Sequence, residues 1–403
     1  MTSTSGPGPI GSDASTPVRR MTPRSRDEAH RAATPLELFF DLCFVVAVAQ
    51  AGVQLVHALA EGHPGAGVIG YGYVFFGVWW AWMNFTWFAS AYDVDDVPYR
   101  IATLVQIAGV LVYAAGVPRA FNDNDWTIAV IGYLIMRVAL TTQWLRAAAA
   151  EEGPARRTAF KYTASLVVCQ LAWVGLLFVP EGAKRWLFIV VAAAELLIPL
   201  VAERSQQTPW HPHHIVERYG LFTIIVLGET MFASTIAVQS ALNENKALGE
   251  LLPIAGGGLL IIFSAWWIYF AVPAHERLVS NRQAIPWGYG HVLIFGSAAA
   301  IGAGIEVSIE HVMGKAHISA FAANAAVTVP VALFLFTVWL LHERYFERTL
   351  PQQLTLPVAT LAVLACTYAG DWAVLATGLV TAATVAVGVM LAARPTAARG
   401  AAA

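Results

Sequence analysis

The sequence predicts an all-α protein that crosses a membrane about twelve times. Three observations carry this. Hydrophobic residues make up 57% of the 403 and charged residues only 12%, against about 25% charged in soluble domains. Mean hydropathy is +0.59. Mostly apolar stretches recur along the whole chain at roughly the 20 residues a helix needs to cross hydrocarbon, and the basic residues fall on alternate connections between them.

The spans fall at 35–59, 70–92, 98–120, 126–146, 160–180, 184–203, 214–240, 252–272, 284–309, 319–341, 354–369 and 372–392. The eleventh is short and contains Pro357, so the sequence admits ten to twelve. With the N-terminus inside, the inner segments hold 18 of the 24 Lys and Arg, the outer loops hold 5, and Arg137 lies within a span. This asymmetry predicts a cytoplasmic N-terminus in the cell's inner membrane. The acidic run from Asn122 to Asp125 then lies outside.

Residues 1–33 are rich in Ser, Thr, Pro, Gly and Arg and have no apolar core of a signal peptide. They are expected as a disordered cytoplasmic tail, residues 34–392 as the transmembrane domain, and 393–403 as a second cytoplasmic tail. A net charge of −2 gives no reason to expect nucleic acid, and the implied partner is the lipid bilayer. Cys43, Cys169 and Cys366 all lie in apolar stretches. Their number and placement argue against a disulfide framework or a metal cage.

The halves 34–205 and 211–392 resemble each other. Glu37 and Glu217 each open an apolar span after a polar segment, 180 residues apart. Trp79-Trp80-Ala81-Trp82 with Phe85 corresponds to Ala265-Trp266-Trp267 with Phe270. Pro98 opens a span that ends near Gly116, and Pro286 opens one that ends near Gly304. Six spans per half would make these parallel repeats. The competing account is that any two membrane halves share Trp, Gly and Pro.

Charges inside a bilayer cost about 2.5–3.5 kcal/mol on insertion scales, so each needs an explanation. Glu37 and Asp41 are four apart and share a helix face. A helix N-terminus favours both carboxylates. That accounts for Glu37 better than for Asp41, which sits one turn deeper among Phe, Leu and Cys. His214, Glu217 and Arg218 repeat the same spacing, and an interfacial salt bridge with a snorkelling Arg is the simpler account. No second set of ligands accompanies the His211, His213 and His214 run, so no metal is expected. Glu229 lies 15 residues into its span, ~22 Å along a helix. It requires a proton, a partner on another helix, or water. His291 and Glu306 lie in the inner and outer thirds of the ninth span. Arg137 and Glu195 lie mid-span, and Arg137 is expected to pair with Glu195 or Glu229. Asp93, Asp95 and Asp96 form an acidic loop that is a weak cation candidate, and His275 lies in the matching loop of the second half. The aromatics from Trp79 to Phe88 suit a cavity wall, although lipid-facing packing is the simpler expectation. The glycines at 256–258 and at 296, 302 and 304 are expected where helices approach closely.

Three motifs carry a resemblance. Thr34-Pro35-Leu36-Glu37-Leu38-Phe39-Phe40-Asp41-Leu42, with the apolar run to Gln50, resembles the opening signature of the bacterial low temperature requirement A family. The segment from His214 to Gly228-Glu229 resembles its second signature. Tyr289-Gly290-His291 with Gly304-Ile305-Glu306 resembles its third. The likeness covers roughly 35–390 and keeps every acidic and His position. Cys43 stands where an aliphatic residue would be expected. The resemblance implies a many-span inner-membrane protein and brings no assigned reaction or cofactor with it.

The leading expectation is a secondary transporter coupled to protons or cations. Asp41, Glu229 and Glu306 would serve as ion sites and His291 as a relay. No P-loop points to ATP. The alternative is a membrane-embedded enzyme acting on a lipophilic substrate such as an isoprenoid or lipid, with acids converging in one pocket. A third reading is a structural or sensory protein whose buried charges are only inter-helical pairs.

Overall fold

The computed structural model describes residues 17–25, 28, 31–243, 248–345 and 349–393. Most of the two expected tails, and Arg26, Lys246, Arg348, Arg394 and Arg399 among the basic residues, lie outside them. Twelve α-helices follow one another, with no strand among the described residues: α1 (Pro35–Ala60), α2 (Pro64–Tyr92), α3 (Val97–Asn122), α4 (Thr127–Ala150), α5 (Gly153–Leu176), α6 (Glu181–Ala202), α7 (Pro212–Asn243), α8 (Leu248–Phe270), α9 (Asn281–Val312), α10 (Ala320–Leu341), α11 (Leu350–Ala365) and α12 (Ala373–Ala392).

Successive helices run in opposite directions. His211 donates its backbone N–H to Ser90 Oγ at 3.0 Å, and Gln207 bonds Asn281 at 2.7 Å, so the connections after α2, α6 and α8 share one end of the bundle, here the near end. His317 donates its backbone N–H to Ala60 O at 2.7 Å at the opposite, far end. Eleven of the helices are long and apolar enough to span a membrane, and their girth exposes Val168, Leu171, Leu252 and Leu361. Burying such side chains requires lipid, so this is an integral membrane protein.

The helix outside that count is α2, not the doubtful eleventh. Its Trp, Tyr and Gly residues score low on hydropathy because the two aromatics carry polar atoms. It lies inside the bundle, with Trp79, Trp80, Trp82, Phe85 and Phe88 all buried. Lipid-facing packing was the simpler expectation for this run, and the structure corrects it. The expectation suits Trp266 and Trp267 of α8, which are 47% and 50% exposed.

One boundary also moves. Gly153 and Pro154 start α5 earlier than expected, because proline fits the first helical turn, where its missing N–H costs nothing. Arg156, Arg157 and Lys161 therefore lie on helix rather than in a loop. Residues 17–25 and 31–33, assigned above to a tail, pack across the near end. Met21 is 1% exposed and Arg31 3%.

The halves pack by one scheme. In each, the first helix lies on the second and third, the third on the fourth, the fourth on the fifth and the fifth on the sixth. Gly116 and Gly304 hold matching positions where third and fourth helices cross. A Cβ at Gly116 would sit 2.4 Å from Ala129 N, and at Gly304 2.1 Å from Ala326 O. Only a missing side chain allows such approach. The halves diverge elsewhere. Gly257 of α8 and Gly378 of α12 meet backbone to backbone. Between α2 and α6, the link is a side-chain bond from Trp80 to Glu195.

Candidate functional site

Two fully buried arginines organise the polar interior. The first, Arg218, lies at the near end where α7 crosses α1, one of the contacts between the two halves. Thr34 caps α1 and closes a capping box with Glu37, in which Thr34 N donates to Glu37 Oε2 at 2.8 Å. The helix period then puts Asp41 one turn further on the same inward face. Glu37, Asp41, His214 and Arg218 are all 0% exposed. Arg218 grips Asp41 with both ends of its fork, Nε to Oδ2 at 2.9 Å and Nη2 to Oδ1 at 2.5 Å. Its Nη1 lies 3.0 Å from Glu37 Oε1. His214 Nε2 is 3.1 Å from the same oxygen. The indole N–H of Trp82 donates to Asp41 Oδ1 at 2.6 Å.

One guanidinium thus faces two carboxylates. With both ionised and His214 neutral, the two carboxylates exceed the one guanidinium by one negative charge among side chains that are 0% exposed. An uncompensated buried charge is expensive. Arg31, nearby, feels the charge of Glu37 as well as that of Asp93. It donates to the carbonyl oxygens of Ala89 and Ser90 and lies 3.6 Å from Asp93. Asp93 is in the loop after α2. Burial first, and then the Glu37 charge, push its pKa up to about 6.

The second arginine, Arg137, is 1% exposed in the first half and forms a 2.8 Å pair with Glu195. Sequence left the choice between Glu195 and Glu229, and the structure takes Glu195. Trp80 and Trp173 donate indole N–H groups to Glu195 at 2.6 and 3.1 Å, and Gln170 adds a bond at 3.3 Å.

The other expected residues lie elsewhere. Glu217 is half-buried and accepts from Ala33 N at 3.3 Å. Glu229 is half-buried, eleven residues from Arg218 and so ~17 Å further along α7. Glu306 is half-buried at the far part of α9, one turn from Glu310. Neither acid joins the near-end cluster. His291 is fully buried, with Nδ1 2.7 Å from Trp287 O and Nε2 3.1 Å from Tyr269 Oη. The carbonyl fixes the proton on Nδ1 of the neutral ring, leaving Nε2 to accept from the tyrosine. His275 packs its ring on His213 at 4.1 Å, outside both centres. The acidic loop does not converge on a cation. Asp95 pairs with Arg100, Asp96 with Arg146, and Asp93 faces Arg31.

The sequence did not single out Trp80, Trp82 or Arg31 as site residues. The tryptophans were visible as an aromatic cluster, but no local signal tells an inward indole from a lipid-facing one. Arg31 counted only as one of the tail's positive charges.

A profile described as bacterial low temperature requirement A protein (LtrA) matches residues 32–393. The chain belongs to this family. All three signature segments fall within the match. An uncharacterized protein of Rhizobium meliloti (strain 1021) is 27% identical over 336 residues, covering 78% of each chain. No solved structure matches.

Proposed function

We propose that this member of the low temperature requirement A family is a secondary transporter of the inner membrane, with its N-terminus in the cytoplasm. In this reading it is built from two parallel six-helix repeats, and proton movement drives its cycle. The observation that carries the reading is the sharing of one buried guanidinium by Glu37 and Asp41 on the α1–α7 crossing. The acids belong to one half and Arg218 to the other, so relative motion of the halves breaks the pairing. Each carboxylate then needs a proton or water, and returning to the packed state releases it. Stability and translocation are thereby coupled through one set of contacts.

The test uses proteoliposomes on a solid-supported membrane, challenged with pools of small metabolites under a pH step. Wild type is expected to give solute-dependent charge movement, reduced at least tenfold in Asp41→Asn at equal protein content. Currents unchanged in Asp41→Asn would sink the coupling role.

One observation favours a second reading, a membrane-embedded enzyme acting on a lipophilic substrate such as an isoprenoid or lipid. Glu37 and Asp41 converge on one arginine and His214 lies 3.1 Å from Glu37, a grouping that suits acid–base chemistry. Mass spectrometry of co-purified molecules separates the two. A lipid retained but left unconverted by Asp41→Asn would favour the enzyme, and a polar metabolite lost in that variant the transporter.

A further inference from the structure

The near end of the bundle holds a small cavity between the two halves. Trp80, Trp87 and Phe88 of α2, Trp144 of α4 and Tyr162 of α5 form its aromatic walls. Glu203 and Thr208 reach it from the connection after α6, and Asn281 from the start of α9. The rings brace one another, with Trp144 and Tyr162 stacked at 4.0 Å and Phe88 edge-on to Trp144 at 4.9 Å. The space is about 30 Å³, enough for one or two waters.

Its charge is one-sided. No lysine, arginine or histidine lines it, and Glu203 is its carboxylate. Oε1 of Glu203 accepts from Tyr162 Oη at 2.9 Å and Thr208 Oγ1 at 2.7 Å, and Oε2 from Thr208 N at 2.8 Å and Asn281 Nδ2 at 3.2 Å. These four donors fill the carboxylate's hydrogen-bonding sites and bring no positive charge. Burial pushes the Glu203 pKa up, and the groups that oppose this, Thr208, Tyr162 and Asn281, are all neutral. Glu37, Asp41 and Glu195 each have an arginine within ion-pair distance. Glu203 has no such partner among the described residues.

The remaining polar groups also suit a cation. Trp80 and Trp87 spend their indole N–H groups on Glu195 and Tyr219, at 2.6 and 3.0 Å, and neither of those residues lines the cavity. The two indoles therefore offer it ring carbon. Asn84, also in the wall, spends Nδ2 on Trp80 O at 2.7 Å, which leaves Oδ1 as a free acceptor. Aromatic faces attract cations within about 6 Å of the ring centre, and a carboxylate without a counter-charge supplies the rest.

We propose that this cavity binds a small ammonium-type cation, ammonium or methylammonium, held by the aromatic rings and Asn84 Oδ1 and balanced in charge by Glu203. Its N–H groups donate to Oδ1, and the rings replace the water that it sheds. The volume limits the ligand to one or two non-hydrogen atoms. A hard metal ion fits the lining less well, since such ions take about six or more oxygen ligands and both Glu203 oxygens are already engaged. Binding here does not depend on the transport reading.

The test follows tryptophan fluorescence and thermal unfolding of the purified full-length protein titrated with methylammonium chloride, at ionic strength held with sodium chloride. Wild type is expected to bind methylammonium saturably and at least tenfold more tightly than two comparison molecules. These are tetramethylammonium, which exceeds the cavity, and methanol, which is neutral and has the same number of non-hydrogen atoms. Glu203→Gln removes the charge at nearly constant shape and should weaken binding at least tenfold. Asn84→Leu keeps Glu203 and every ring while removing the free acceptor. It should lose methylammonium as well, and it gives the readout if Glu203→Gln does not fold. A cavity that holds only water gives no saturable response to methylammonium, and that result overturns the proposal. Equal binding of methanol or tetramethylammonium, or unweakened binding in either folded variant, overturns it too.

Discussion

The two buried arginines differ in their charge balance. Arg137 and Glu195 are one cation and one anion, with four donors on the carboxylate, and they stand inside one half. Arg218 has two carboxylates, and it joins the two halves. A neutral pair whose carboxylate is fully hydrogen-bonded is built to stay together. A pair with a surplus acid across an interface has a second state within reach, because adding or removing one proton changes what the interface costs. The same residue types in the same bilayer therefore do different work, and the stoichiometry of charge separates them.

The comparison predicts unequal responses to neutralising an acid. Glu195→Gln leaves Arg137 buried without a counter-charge and should destabilise by ~3–5 kcal/mol, seen as lost folded yield after purification. Asp41→Asn removes the surplus charge while Glu37 still balances Arg218. It should cost only the bidentate hydrogen bonds, ~1–3 kcal/mol. Equal losses in the two variants would break the distinction.

Removing the cations sharpens it. Arg218→Gln should be among the most disruptive single changes, since two buried carboxylates then face each other. Adding Glu37→Gln and Asp41→Asn should restore folded protein, measured by size-exclusion recovery and thermal unfolding. For Arg137→Gln, adding Glu195→Gln alone should suffice.

The matching glycines come next in size. Gly116→Leu and Gly304→Leu each force the third and fourth helices of a half apart, and overpacking at such crossings costs ~1–3 kcal/mol or more. The two variants should lose comparable thermal stability if the halves share one packing scheme. A loss confined to one half would argue against equivalence.

The smallest expected effect is a pH dependence. Asp93 lies outside the spans, and its pKa is pushed from 3.8 up to about 6, by burial and then by Glu37. A raised acid pKa means the folded protein binds the proton more tightly than the unfolded chain. Stability from this group is present below the unfolded pKa and falls as pH rises through about 6. The unfolding temperature of wild type should therefore drop between pH 4 and 7 relative to Asp93→Asn, which lacks the titrating group. Parallel profiles for the two proteins would contradict the burial argument.

The sequence by itself determined the architecture. Twelve apolar segments and a periodic bias of basic residues are local properties, and lipid leaves a helix as the only way to satisfy each segment's backbone. The shared face of Glu37 and Asp41 was equally local. Partner choice was not local. Arg137 had two candidate acids in sequence, and only helix packing selected Glu195. Trp80 and Trp82 looked like lipid-facing aromatics until the bundle turned their indoles onto buried carboxylates. Glu229, the most isolated acid by position, stayed half-buried and apart from the near-end cluster. A one-dimensional pattern tells which groups are costly to bury, and the tertiary structure decides which of them meet, because helices that are distant in sequence supply the compensating charge.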